Sequence, residues 1–307
     1  MQPYAKSSPV DVNATVQHSV LNGKTAIVTG GANGIGEAYS RALIEAGAFV
    51  IVADLDEVAG ANMEKQFYGR TKFVRCNVTN WNAQLVLFQK SIAESPSGMI
   101  DIVIPNAGID GADSVFYTDV TKEPEKPSLN ILDVNLTGAL YTIKLALHHF
   151  RKQHAEASAG VSVRNHDLII QGSLAGYLDL PGALEYSASK FAMRGIMRDL
   201  RRTEWQHNIR VNFIGPWFVR TNILNNAVLQ HLENSGVEFA TVNDTAAAMM
   251  RILCNSSIIG RSMAIVPRSV ASCGYVSLDA DDFDEGSILR QLQDWVEVVD
   301  NRSKVSA

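Results

Sequence analysis

The sequence predicts a single doubly wound α/β domain on a parallel sheet of about seven strands, and three observations predict it. Short runs rich in β-branched residues alternate with longer segments of helical periodicity from residue 23 to residue 268. Those runs are apolar throughout rather than alternating, as strands covered on both faces require. The first run ends in a cluster of glycines that leads directly into a helical pattern. Strand–helix alternation gives right-handed βαβ units, and these wind into an open parallel sheet.

Residues 24–29 (KTAIVT) read as the first buried strand, being short, β-branched and followed by glycine. Residues 34–46 then carry helical apolar spacing, and 49–53 form a second buried run. Further strands are expected at 72–76, 100–104, 167–171, 210–214 and 263–266. Helices are expected at 57–67, 82–93, 128–154, 185–206 and 244–253. No linker or internal repeat interrupts this rhythm, so residues 23–268 read as one catalytic domain. Three segments stand outside it. Residues 1–22 are a polar N-terminal arm, and 110–127 are a long loop. Residues 269–307 are a C-terminal extension, with an acidic cluster at 279–285 and an amphipathic stretch at 288–299. The acidic cluster reads as solvated surface with a helix cap.

The glycine cluster is Thr29-Gly30-Gly31-Ala32-Asn33-Gly34-Ile35-Gly36. Glycines there let the backbone turn sharply and approach a pyrophosphate. The N-terminus of the following helix offers unpaired N–H groups and a favourable dipole. Gly30, Asn33, Gly34, Ile35 and Gly36 are therefore candidate cofactor ligands. The second strand ends at Asp54, 18 residues beyond Gly36, where a carboxylate can accept both ribose hydroxyls of NAD. A ribose 2′-phosphate would face that carboxylate at a cost of up to ~4 kcal/mol per unit charge. No lysine or arginine stands in 30–36 or at Leu55 and Asp56 to compensate, so NAD is expected rather than NADP.

Tyr186-Ser187-Ala188-Ser189-Lys190 carries the chemistry. Spacing i, i+4 on a helix places the phenol and the ammonium on one face. A free tyrosine, with a pKa of ~10, is a poor base near neutral pH. A neighbouring ammonium and the positive charge of oxidised nicotinamide are both expected to favour phenolate. Ser173, at the end of a strand, can hydrogen-bond a substrate oxygen as charge develops on it.

At these residues the chain resembles the short-chain dehydrogenase/reductase family over roughly residues 23–268. The resemblance rests on TGGANGIG, Asn106-Ala107-Gly108, VNLTG at 134–138, Gly172-Ser173, YSASK and RVNFIGPWFVRT at 210–221. It implies a Rossmann fold, and a catalytic set of Asn135, Ser173, Tyr186 and Lys190. Asn135 would hold a water in a proton relay from Lys190, and Lys190 would also bind nicotinamide ribose hydroxyls. Pro216, Val219 and Thr221 would flank the carboxamide. Asn106, Ala107 and Gly108 would pack beside the adenine ribose, with Leu55, Asn77 and Val78 completing the adenine side. Within the family the run GYLDLPGALEYSASKFA is most similar to the prostaglandin dehydrogenase-like branch common in fungi. Three departures stand out: Asn77 where the family often has Asp, Pro105 before Asn-Ala-Gly, and Trp217 where glycine usually follows Pro216.

The expected activity is hydride transfer between NAD(H) and a secondary alcohol or ketone. Leu174 and Trp217, with Tyr177, Leu178 and Phe218, suggest an apolar pocket suited to a polyketide, terpenoid or lipid alcohol. A non-redox NAD sensor, or an isomerase or cyclase using the nucleotide as scaffold, are the competing readings; the intact Ser, Tyr, Lys and Asn set speaks against the sensor, which needs no proton relay. Composition narrows the rest. There are 32 acidic against 27 basic residues, for a net charge of −5, which speaks against nucleic acid or an anionic membrane surface. No apolar stretch approaches the ~20 residues needed to span a bilayer. The polar N-terminus and three widely spaced cysteines, Cys76, Cys254 and Cys273, suggest a cytoplasmic protein with free thiols. No histidine or cysteine spacing suggests a metal. Helices at 128–154 and 185–206 match those through which the family forms homodimers and homotetramers.

Overall fold

The computed structural model describes residues 1, 4–5, 9–117, 119–157 and 164–298. Parts of the N-terminal arm and residues 299–307 of the extension lie outside the described residues. The expected Rossmann architecture is observed. Eight strands form one sheet in the order β3-β2-β1-β4-β5-β6-β7-β8. The strands are β1 (Thr25–Thr29), β2 (Phe49–Asp54), β3 (Thr71–Arg75), β4 (Ile102–Ile104), β5 (His166–Gln171), β6 (Ile209–Pro216), β7 (Ser262–Ile265) and β8 (Tyr275–Leu278).

The first seven pair in parallel, and β8 closes the edge antiparallel to β7. The seven parallel strands fall within one or two residues of the expected ones. The eighth was not expected. It comes from the segment beyond Arg268, is only four residues long, and has one buried and three half-buried residues. An edge strand of that kind carries too little apolar pattern to read from sequence.

Helices α1 (Gly34–Glu45), α2 (Glu57–Gln66), α3 (Trp81–Glu94), α4 (Asn130–Leu132), α5 (Ala139–Ala157), α6 (Leu184–Thr203), α7 (Asn226–Asn234), α8 (Val242–Cys254) and α9 (Ile288–Val298) complete the fold. One core lies on the sheet face under α1 and α8, with Tyr39, Leu43, Met249 and Ile252 against Val28, Val50 and Ile104. The other lies under α3, α5 and α6, with Phe88, Phe150, Met193 and Met197 against Ile27, Val103 and Ile170. The alternation of side chains along each strand feeds both layers, which is why the strands read as unbroken apolar runs.

The helix expected over 128–154 is broken in one informative place. Between α4 and α5 the backbone forms a π-helical turn, Asp133–Gly138, and Asn135 sits inside it. An extra residue per turn re-aims the side chains around it, a device frequent at functional sites. Gly138 lies tight against Val78, where an added Cβ would come within 2.8 Å of a Val78 methyl.

Candidate active site

The strand order reverses direction between β1 and β4, and ligands of doubly wound sheets bind outside the carboxyl ends at such a point. A cleft of about 600 Å³ opens there. Every cofactor residue expected from the sequence lines it, from Gly30, Asn33 and Asp54 at one end to Pro216, Val219 and Thr221 at the other, and of the expected substrate residues all but Tyr177 do. Of the expected catalytic residues, Asn135 alone stands behind the wall.

The glycine loop is shaped by contact. Gly30 has φ +62, and a Cβ there would lie 2.9 Å from Ala107 Cα. A Cβ on Gly36 would lie 1.9 Å from the Gly30 carbonyl oxygen, so α1 begins against the turn with no room for a side chain. The Asn-Ala-Gly motif holds this turn from behind. Asn106 Nδ2 donates to the carbonyls of Thr29 and Gly30 at 2.9 and 3.1 Å, and Thr29 Oγ1 accepts from Asn106 N and Ala107 N at 3.0 and 3.1 Å.

Asp54 is held in place by backbone: Oδ2 accepts from Ala32 N at 3.0 Å and Oδ1 from Asp56 N at 3.1 Å. Asp56 brings a second carboxylate to the same end. It caps α2 through Ala59 N, and that hydrogen bond, with one from Asn33 Nδ2 at 3.2 Å, holds its carboxyl below the ordinary range. Arg75 lies across the strand register from Asp54, but its guanidinium is paired with Glu57 at 2.7 Å. On the adenine side, Asn77 Oδ1 accepts from Thr79 N and Oγ1 at 3.0 and 2.9 Å, an Asx turn that fixes the loop after β3. A turn without room for a Cβ, a helix N-terminus behind it and paired carboxylates beyond fit a dinucleotide.

Tyr186 and Lys190 project from the first turns of α6 into the cleft. That helix is anchored by Asp113, a buried residue of the long loop whose Oδ2 accepts from Glu185 N at 2.6 Å. Ser173 ends the segment after β5; its Oγ accepts from Ala175 N at 3.1 Å and reaches the Pro216 carbonyl at 3.4 Å. Lys190 Nζ lies 5.2 Å from the centre of the Tyr186 ring.

The electrostatics correct one expectation. Burial pushes the Tyr186 phenol up to about 12, against a downward pull from its hydrogen bond with Ser173. The same burial pushes the Lys190 ammonium down to about 8, and the Asp110 carboxylate opposes that fall. The nearby Asp110 carboxylate raises the phenol further, so in the chain alone it stays above its ordinary value.

Asn135 is occupied elsewhere. Its Oδ1 accepts from Ile109 N at 2.8 Å, its Nδ2 donates to the Ile109 carbonyl at 2.9 Å, and Ser189 Oγ lies 3.3 Å from Nδ2. The side chain clamps the loop after β4 to the π-helical turn and to α6.

On the substrate side, Leu174, Leu178 and Trp217 line the cleft, whereas Tyr177 turns inward, with its ring 5.9 Å from Phe213. Trp217 serves two purposes. It faces the cleft, and it also packs on the core under α1 and α8, with Nε1 donating to the Glu238 carbonyl at 3.0 Å. Trp217→Ala should therefore both raise KM for bulky substrates and lower the melting temperature. The loss should fall short of the ~3–5 kcal/mol of a fully buried tryptophan. Kinetics and thermal denaturation of one preparation check this, and an unchanged KM would remove Trp217 from the pocket.

Among the residues not read from the sequence as parts of the site are three polar ones: Asp113, Asp110 and Gln171. Gln171 lines the cleft and accepts from the Tyr39 hydroxyl at 2.7 Å. All three act on partners far away in the chain, and no local pattern marks them. Among the described residues no group of three or more His, Cys, Asp or Glu could hold a metal ion, and no helix is long and apolar enough to cross a membrane.

A close-packed glycine turn at the switch point, with a serine, tyrosine and lysine converging beside it, fits a dinucleotide-dependent oxidoreductase. The sequence matches the short chain dehydrogenase family over residues 24–231, and the chain belongs to that family. It is 33% identical to 5′-hydroxyaverantin dehydrogenase of Dothistroma septosporum over 274 residues, covering 83% of this chain and 88% of that one. It is 31% identical to an NADP-dependent dehydrogenase of Phoma sp., covering 90% and 84%. Among solved structures, 3-ketoacyl-(acyl-carrier-protein) reductase from Brucella melitensis, complexed with NADH, superposes with a TM-score of 0.68 at 21% identity. That superposition covers 80% of this chain and 97% of the other, and it supports the fold.

Proposed function

We propose that this chain is an NAD(H)-dependent dehydrogenase that interconverts a secondary alcohol and its ketone on an uncharged, apolar metabolite. The observation that carries the reading is the convergence of Ser173, Tyr186 and Lys190 on one cleft beside the phosphate turn. When bound, the nicotinamide supplies the hydride acceptor or donor. Ser173 Oγ holds the substrate oxygen. Tyr186 Oη takes the hydroxyl proton in oxidation and returns it in reduction. Lys190 binds the ribose and presents its ammonium below the phenol. Asn135 acts through Ile109 as a positioning residue, since both ends of its carboxamide are engaged there.

The substrate reading draws on the lining. Ile109, Leu174, Leu178, Trp217, Ile223 and Leu224 supply apolar surface, and Asp110 and Asp179 supply carboxylates. Lys190 is the only lysine or arginine along the cleft among the described residues. An anionic substrate would meet those acids without a counter-charge, whereas a neutral hydroxylated ring system could donate to them. The Dothistroma relative is named as a dehydrogenase of a hydroxylated compound, 5′-hydroxyaverantin, which agrees with a hydroxylated substrate.

Because the Phoma relative is named NADP-dependent, the cofactor preference rests on this chain's own Asp54 and Asp56. NAD(H) should bind at least about tenfold tighter than NADP(H), or about 1.4 kcal/mol. Asp54→Ala should narrow the gap. Calorimetry with both nucleotides, followed by absorbance assays over a panel of secondary alcohols, tests cofactor and reaction together. Equal affinities would sink the cofactor assignment, and absence of turnover across the panel would sink the reaction.

A further inference from the structure

A polar cluster outside the cleft joins the C-terminal extension, α6 and the turn at residues 174–178. At its centre is Asp281, which is 3% exposed. Its Oδ2 accepts from the Tyr177 hydroxyl and from Ser262 Oγ, both at 2.5 Å, and its Oδ1 accepts from Arg194 Nε at 2.7 Å. Arg194 reaches both neighbours of the cluster. Its guanidinium stacks over the Tyr177 ring at 3.9 Å, its Nη2 donates to the Ala280 carbonyl at 2.6 Å, and its Nη1 to the Gly176 carbonyl at 3.3 Å.

The next residues extend the tie. Arg201 donates to the Asp281 carbonyl at 2.7 Å, pairs with Asp282 at 3.1 Å, and meets the Tyr4 hydroxyl at 2.8 Å. The acidic cluster is therefore not merely solvated surface, as its composition suggested. Two of its carboxylates are buried against arginines of α6.

Tyr186, Lys190 and Arg194 are spaced i, i+4, i+8 on α6, so one face of that helix carries the chemistry and then this anchor. Tyr177 is the inward-facing residue of a turn whose flanking Leu174 and Leu178 face the cleft. The same turn is capped at its start by Ser173. Fixing Tyr177 from behind fixes both leucines in front, because a turn of this length has no independent freedom at each residue.

We propose that Asp281 is a positioning residue for the substrate: the C-terminal segment latches the 174–178 turn to α6 and so sets the apolar wall that a bulky substrate meets. The kinetic consequence rests on the alcohol-dehydrogenase reading above; the latch itself does not. Ser173 is also tied to β6 through the Pro216 carbonyl, so releasing the latch should leave the chemical step in place and loosen the wall.

The test uses the full chain carrying Asp281→Asn, and separately Tyr177→Phe, which keeps the ring and removes only the hydroxyl. Hydrogen exchange followed by mass spectrometry should show amides of 174–178 exchanging roughly tenfold faster in both variants, as for one lost hydrogen bond to a charged group. Peptides of β1 and α1, and the affinity for NAD, should not change. With 1-acenaphthenol as a bulky probe alcohol, KM should rise about tenfold at unchanged kcat, and with cyclohexanol neither should move. Unchanged exchange at 174–178 would overturn the latch, and acceleration spread evenly over the sheet would reduce Asp281 to a general stabiliser. Local acceleration with an unchanged KM for 1-acenaphthenol would overturn its role towards substrate. If neither alcohol is oxidised, the dehydrogenase reading fails and the exchange experiment still decides the latch.

Discussion

Tyr186→Phe is expected to lower turnover by at least ~100-fold, the lower range for loss of a general acid–base group. The phenylalanine ring keeps the packing, so NAD affinity and melting temperature should stay close to wild type. The pH dependence should carry the same signature. Alcohol oxidation needs phenolate, and burial holds the phenol near 12 in the chain alone, so the oxidation rate should climb as pH rises from neutral. Ketone reduction needs the neutral phenol and should run in the opposite sense. Around 8 Lys190 loses its charge, and with it the ammonium assigned to the nicotinamide ribose, so the climb should flatten there. In Tyr186→Phe both slopes should vanish. A variant with wild-type turnover, or with the slopes intact, would remove the phenol from the proton path.

The second large effect is expected at Gly36. An alanine Cβ would lie 1.9 Å from the Gly30 oxygen and 2.5 Å from Asn106 Nδ2. Neither contact can be relieved by rotating a side chain alone, since one partner is backbone and the other is held by two hydrogen bonds. The turn must move away from α1, which withdraws the N–H groups meant for the pyrophosphate. NAD affinity should fall at least about 100-fold, or ~2.7 kcal/mol, with a further overpacking cost of ~1–3 kcal/mol in stability. Gly195→Ala makes the control. That glycine lies exposed in α6 with nothing within 4 Å of an added Cβ, so alanine there should gain up to ~1 kcal/mol in helix stability. Calorimetric titration of both variants decides the matter; undiminished NAD binding by Gly36→Ala would mean that the turn is not the phosphate cradle.

Much of the site could be read in advance because its signals are local. A glycine forced to positive φ, a carboxylate at a strand end and a phenol one helical turn from an ammonium are each defined by residues close in sequence. Trp217 shows where that reading thins. Its position after β6 put it at the cleft mouth, yet its indole also bonds to Glu238 and covers part of the core. Asn135 shows the same limit from another side. The motif around it marked the residue, while the π-helical turn that spends its side chain on Ile109 has no sequence pattern of its own.

The sequence by itself determined the parallel sheet, the phosphate turn, Asp54 and the Tyr186–Lys190 pair, because side-chain period and backbone sterics act over a few residues. Only the tertiary structure decided what those groups feel. The upward shift of Tyr186 and the downward shift of Lys190 come from burial by elements distant in the chain. Asp113 supports α6 from 72 residues away, and Asp281 grips Tyr177 across 104 residues. Desolvation and long-range hydrogen bonds depend on which segments the fold brings together, and no spacing rule in one stretch of sequence encodes them.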